Sequence, residues 1–213
     1  VLHLFTGRPL VLTEEAVNIP SILNVWFGGS EAGDAIADVL FGKVNPSGKL
    51  TTSFPRSVGQ LPLYYNSHNT SRPDPDKNVF NRYTSNYLED SNEPLYPFGY
   101  GLSYTHFQYD NMVLSSNVLK KGEKLTVSVI VTNKGNYDGC EVVQLYLHDI
   151  YADVVRPVKE LKDFKRIFLK KGESREVRFV ITEEDLKFYN SNLQYIYETG
   201  DFEVMVGTNS RDV

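Results

Sequence analysis

The sequence predicts an α/β segment followed by an all-β sandwich, and three observations carry that prediction. An apolar run at residues 22–27 is stopped by Gly28 and Gly29 and followed by helical spacing from Glu31 to Phe41. Beyond residue 107 the apolar period changes to two. Between these regimes lies Glu93-Pro-Leu-Tyr-Pro-Phe-Gly-Tyr-Gly-Leu-Ser-Tyr-Thr-His-Phe107, which suits neither a helix nor a strand. Pro94 and Pro97 fix φ and withhold N–H donors. Gly99 and Gly101 open backbone angles closed to other residues, while Leu95, Tyr96, Phe98, Tyr100, Leu102, Tyr104 and Phe107 carry too much apolar surface for a free linker. The stretch reads as a packed joint between two domains.

Taken in order, Val1 to Phe5 and Leu10 to Leu12 are apolar and strand-like, with Gly7-Arg8-Pro9 turning between them. Thr13 offers a helix N-cap before Glu14 and Glu15, whose charges suit a helix N-terminus, and Pro20 keeps that helix short. Ile22 to Phe27 predicts a strand buried on both faces, as in a parallel sheet. The next helix sets Ala32, Ala35, Ile36, Val39 and Leu40 on one side and Asp34 and Asp38 on the other, and Gly42 ends it. Strand, glycine turn and helix in succession make an α/β unit.

From Asn45 to Pro94 periodicity fades into an extended path rich in Pro, Gly, Asn and Ser. Phe54, Tyr64, Tyr65, Phe80, Tyr83 and Tyr87 are expected to pin that path to the surface, and residues 66–78 to be its mobile part.

After the joint, Val127, Val129 and Val131 alternate with polar residues, and Val143, Leu145 and Leu147 alternate with Gln144, Tyr146 and His148. Val177, Phe179 and Ile181 repeat the rhythm, as do Phe202, Val204 and Val206. Short alternating strands separated by Gly-containing turns predict a β-sandwich of the immunoglobulin or fibronectin type III kind. Tyr146 and Tyr151 are expected on its exposed faces. Thr182 and its acidic successors predict one short helix between strands. The expected layout is residues 1–60 for the α/β piece, 61–110 for the connecting segment and 111–213 for the sandwich.

Composition limits what the chain can do. Its 22 basic and 27 acidic side chains give a net charge of −5 with the signs interspersed, which excludes nucleic acid and an anionic membrane as expected partners. The single cysteine, Cys140, excludes an internal disulfide and a cysteine metal site, and predicts a buried, inert thiol. No run approaches the ~18 apolar residues of a membrane span. The first residue is Val1, already strand-like and not Met, so further sequence is expected to precede it.

Three motifs carry a family resemblance. The joint itself, Trp26-Phe-Gly-Gly-Ser-Glu-Ala-Gly-Asp-Ala-Ile-Ala-Asp-Val-Leu-Phe-Gly42, and Asn45-Pro-Ser-Gly-Lys-Leu50 together resemble the C-terminal part of family 3 glycoside hydrolases, and most of all the periplasmic bacterial β-glucosidases of that family. The resemblance implies the end of an α/β sandwich domain followed by a fibronectin type III-like domain. It also implies a parent that releases non-reducing terminal β-glucosyl residues by a retaining mechanism, without metal or cofactor, in the periplasm or outside the cell. The implied Asp nucleophile and Glu acid/base would lie upstream of Val1, so no catalytic residue is assigned here.

The residues present agree with that reading. Glycoside hydrolysis needs two carboxyl groups across the scissile bond, about 5 Å apart in a retaining enzyme. Glu31, Asp34 and Asp38 have the spacing of a solvated helix face, Glu14 and Glu15 answer a helix dipole, and Asp74, Asp76, Glu89 and Asp90 have no identifiable partner. Gly28-Gly29 with Gly33 lacks the lysine of a phosphate loop. His3, His68, His106 and His148 share no metal spacing. Candidate substrate-binding residues are Trp26, at the end of an α/β strand where ligands gather, and Arg82 and Tyr83 in the long loop. The expected partner is a β-linked oligosaccharide or glycoside. A sugar-binding or adhesion sandwich and a homodimer remain open alternatives.

Overall fold

The computed structural model describes residues 2–70, 72–73, 81–88 and 90–213. Strand β1 (Leu2–Phe5) pairs in parallel with β2 (Ser21–Asn24), Leu2 opposite Ser21, and helix α1 (Thr13–Asn18) lies between them in sequence. Helix α2 (Ala32–Leu40) follows the glycine turn. The predicted strand at 22–27 is shorter than expected because Trp26 adopts φ 53, which turns the chain out of the ladder just after Val25 N–H has donated to Phe5 O at 2.9 Å. Nor are the two strands covered on both faces: Leu2 and Leu4 are exposed.

Two further expectations fail in this part. Leu10 to Leu12 form no strand; Leu12 is instead buried at the start of α1. Thr13 is inside that helix, and its hydroxyl donates to Arg56 O at 2.6 Å rather than capping.

The second half is a sandwich of two antiparallel three-stranded sheets. One sheet orders β3 (Phe107–Leu114), β4 (Leu125–Asn133) and β7 (Ser174–Ile181); the other orders β10 (Phe202–Gly207), β5 (Gly139–Asp149) and β6 (Glu160–Leu169). Their inner faces bring Val127, Val129, Val131 and Phe179 against Val143, Leu145, Leu147 and Leu169. Each such side chain contributes about 1.5–3 kcal/mol by leaving water. A short helix α3 (Glu183–Leu186) and a hairpin of β8 (Phe188–Tyr189) and β9 (Tyr195–Ile196) complete the fold. Thr182 precedes α3 as predicted, its N–H and hydroxyl both donating to Asp185 Oδ2.

Two strands escape the period-two reading. In β3 the register slips between Asp110 and Val113, with Asn111 at φ 52. A bulge of this kind breaks alternation. Strand β6 reads Lys162-Asp-Phe-Lys-Arg166 along an edge, where charge discourages pairing with another chain.

The joint acts as packing and not as a tether, but two of its expected apolar anchors fail: Leu102 is exposed, and Tyr104, also exposed, is held through its hydroxyl to Val39 O. Leu50 N–H donates to Tyr100 O and Gly99 N–H to Leu50 O, while Phe54 exchanges backbone bonds with Leu95 and Tyr96. Phe98 stacks on Tyr65 at 4.1 Å, and its carbonyl accepts from Ser210 N–H. This cover lands on the outer face of β5, so Tyr146, expected in solvent, is 0% exposed, and Gln144 is buried beside it. Alternation marked the two faces correctly; it could not show that the outer one is also covered.

Of the loop aromatics, Phe54 is buried and Tyr65 and Tyr87 are held, Tyr87 through its hydroxyl to Gln60 O. Tyr64 and Tyr83 are exposed instead. Phe80 and part of the expected mobile stretch, residues 71 and 74–78, lie outside the described residues. Cys140 is only partly buried, against the expectation of a buried thiol.

Candidate functional site

The three candidate residues occupy two different surroundings. Trp26 is half-buried where the parallel strands end, its ring edge-on to Phe54 at 5.9 Å and its carbonyl accepting from Gly7 N–H at 2.9 Å. Phe27 beside it is 86% exposed. A non-glycine residue at positive φ is a strained conformation that only a well-determined surrounding sustains. Here the surrounding includes Phe54, which is itself edge-on to Tyr96 of the joint.

Arg82 and Tyr83 are brought together. The guanidinium carbon of Arg82 lies 5.6 Å from the Tyr83 ring centre, and both side chains are exposed. Arg82, Thr84, Asn86 and Leu88 line an open depression of about 620 Å³. Asn86 anchors its floor, donating to Asn81 O at 2.6 Å and to Thr84 Oγ1 at 3.0 Å. Among the described residues this surface offers a cation, an aromatic ring and an amide, groups that can hold a polar ligand.

Several carboxylates elsewhere are committed to structure. Asp149 and Glu160 share the Arg156 guanidinium, at 3.8 and 2.7 Å, and Arg156 lies over the Phe188 ring at 4.5 Å. Burial pushes the Asp149 carboxyl above the ordinary carboxylate range, and the Arg156 charge opposes that rise. Asp38 pairs with Lys43 at 3.0 Å, and Glu203 with His148 at 2.9 Å. Among the described residues no group of three His, Cys, Asp or Glu side chains could hold a metal ion, and no helix is long and apolar enough to cross a membrane.

Residues that sequence reasoning passed over tie the α/β piece to the sandwich. Lys49 pairs with Glu141 of β5 at 2.9 Å and donates to Gly101 O at 3.0 Å. Gln144 Nε2 donates to Gly99 O at 3.2 Å and to Thr208 O at 2.6 Å, while its Oε1 accepts from the Tyr146 hydroxyl at 2.5 Å. Asn45 Oδ1 accepts from Ser103 Oγ and Tyr104 N–H, and its amide donates to Asp138 O. The only sequence signal for these was the Asn45 and Lys49 positions inside a recognised motif.

Residues 1–104 match the glycosyl hydrolase family 3 C-terminal domain, and residues 141–210 match the fibronectin type III-like domain. The chain carries the C-terminal domain of glycoside hydrolase family 3. A periplasmic β-glucosidase of Salmonella typhimurium is 52% identical over all of this chain, and a β-xylosidase of Formosa agariphila is 46% identical over 99% of it. Among solved structures, β-glucosidase from Listeria innocua in complex with glucose superimposes over the whole chain with a TM-score of 0.95 at 45% identity. A mutant of that enzyme in complex with laminaribiose matches at 0.94. The chain spans 28% of the length of these two curated relatives and 29% of the Listeria chains. The two matches together thus cover a C-terminal domain pair, and most of the joint falls inside the first of them.

Proposed function

We propose that this chain is the C-terminal scaffold of a β-glucosidase. The parent removes terminal β-D-glucosyl residues from non-reducing ends by the retaining, two-carboxylate route, needs no metal or cofactor, and works in the periplasm or outside the cell. This chain braces the enzyme and supplies neither carboxylate. The observation that carries the reading is the whole-length likeness to Listeria β-glucosidase in a chain whose buried carboxylates among the described residues, Glu141 and Asp149, face Lys49 and Arg156 respectively. A bracing role is also supported by the apolar side chains that the α/β piece turns outward, Phe27 at 86% and Phe41 at 88% exposure. Such surface is what a neighbouring domain would cover.

The proposed layout keeps three parts, an α/β piece at 1–60, a connecting segment at 61–110 and a sandwich at 111–213, the last boundary falling within β3. Arg82 and Tyr83, exposed on the connecting segment, are the proposed contacts from this chain to substrate. Trp26 belongs to the same proposal as a wall of the sugar site. A homodimer would meet through the same exposed loop. The relatives bear both β-glucosidase and β-xylosidase names at comparable identity.

The test compares two proteins on an aryl β-D-glucoside. The longer protein that includes this chain hydrolyses it, and the isolated 213-residue chain does not. Turnover by the isolated chain, or glucosidase inactivity of the longer one, sinks the reading.

A further inference from the structure

The β8–β9 hairpin combines rigidity with exposure in a way the scaffold does not require. Tyr189 and Tyr195 are directly opposite one another in the ladder and point to one face, 65% and 52% exposed, with ring centres 5.0 Å apart and planes tilted by 41°. The structural side of the hairpin is the other face, where Phe188 is buried beneath Arg156. A hairpin with two residues per strand is marginal by itself, yet this one is heavily fastened. Asn190 Oδ1 accepts from Asn192 N–H at 3.0 Å and Gln194 N–H at 2.9 Å. Asp153 Oδ2 accepts from Ser191 N–H at 3.1 Å and Ser191 Oγ at 2.8 Å, pinning the turn to the loop after β5. The Lys187 ammonium, which also pairs with Glu184, lies 5.8 Å from the Tyr195 ring centre, and Asn192 and Gln194 are exposed in the turn that joins the two strands.

We propose that this hairpin is a non-catalytic binding platform for β-linked glucan chains. The ligand class rests on the β-glucosidase reading above; the site does not. A β-glucosyl ring carries its hydroxyls equatorially, so each face presents axial C–H groups that lie flat on a tyrosine, while the hydroxyls at the ring edge meet amides. A pre-ordered aromatic pair pays little conformational entropy on binding. Protein is the poorer fit. Two partly exposed tyrosines offer on the order of 300 Å², well short of the ~800 Å² per partner that a stable protein interface buries. The platform would keep polymeric substrate near an enzyme that consumes chain ends.

Native electrophoresis of the 213-residue chain through gels containing laminarin or hydroxyethyl cellulose, with dextran as the α-linked control, tests this. The chain is expected to be retarded by the β-glucans and not by dextran. Tyr189→Ala with Tyr195→Ala is expected to weaken retardation about ten-fold with unchanged circular dichroism and melting, since both rings face solvent. Tyr189→Phe with Tyr195→Phe, which keeps the stacking faces, should retain it. No retardation of the unaltered chain, retardation surviving the alanine pair, or equal retardation in dextran overturns the proposal. So does concentration-dependent self-association abolished by the alanine pair, which would make the hairpin a protein contact. Aryl glucoside hydrolysis by the longer protein is the separate readout: its loss bears on the function proposed above, and its persistence without glucan retention sinks the platform alone.

Discussion

The ammonium of Lys49 lies 2.9 Å from the carboxylate of Glu141, with only 13% and 6% of the two side chains exposed. Lys49 comes from the end of the α/β piece and Glu141 from β5, so one buried ion pair joins two parts that the sequence reads as separate domains. Glu141 also accepts from Val142 N–H. Breaking such a pair from one side leaves an uncompensated charge out of water, which costs about 3–5 kcal/mol. Lys49→Met is therefore expected to lower stability by that amount in urea denaturation. Lys49→Met with Glu141→Leu should recover a large part of it. Additive losses in the double variant would show that the charges do not act as a pair.

Gly99 sits at φ +80, and a Cβ built there would lie 2.1 Å from Gln144 Oε1. Gln144 cannot give way cheaply, because its amide is bound to Gly99 O, Thr208 O and the Tyr146 hydroxyl. Gly122 has nearly the same φ, +77, but open space around it. Both alanine variants incur the left-handed penalty of roughly 1–2 kcal/mol, and only Gly99→Ala adds the clash. Gly99→Ala should destabilise by at least about 1 kcal/mol more than Gly122→Ala, and equal losses would mean that the joint tolerates displacement.

The Asp153 carboxyl is held below its ordinary value of 3.8 by the Ser191 N–H and hydroxyl that donate to it. A depressed carboxyl stabilises the folded state above its unfolded pKa, and that contribution is lost as pH falls through the folded value. The tether to the β8–β9 hairpin is thus intact at neutral pH and is released as pH falls through the lowered folded-state value of Asp153. The Ser191 amide proton should titrate with a midpoint below 3.8, and Asp153→Asn should abolish that titration. A midpoint at or above the ordinary value would contradict the geometry.

Phe27 and Phe41 are almost fully exposed on the α/β piece. If a neighbouring domain of the parent covers them, the 213-residue chain alone should bind a hydrophobic dye. Phe27→Ser with Phe41→Ser should reduce that binding without lowering the melting temperature, since neither ring is packed. In the longer protein the same pair should reduce stability. A harmless pair in both settings would leave these faces uncovered.

Period-two patterning located β4, β5, β7 and β10 and named their inward residues, because inner positions of a sandwich answer to one rule, exclusion from water. It missed β3, whose bulge at Asp110 and Val113 interrupts the pattern, and β6, whose edge position favours charge. Tyr146 was misplaced for a related reason: burial of the outer face depends on residues 45 or more positions away, Phe98 and Gly99, and no local pattern reports that. Arg82 and Tyr83 were legible only as chemistry in a loop, and their contact is a fact of the fold. The tyrosine pair of the β8–β9 hairpin was invisible, since two residues on either side of a turn are too few to show a period.

Because Phe98, Gly99 and Tyr65 roof the outer side of β5, the sandwich is not a module that can be lifted out at its first strand. A graft that starts at Phe107 would lay bare the Tyr146 ring and strand the Gln144 amide without one of its acceptors. Any chimera that exchanges this domain between hydrolases has to carry the aromatic roof along with it.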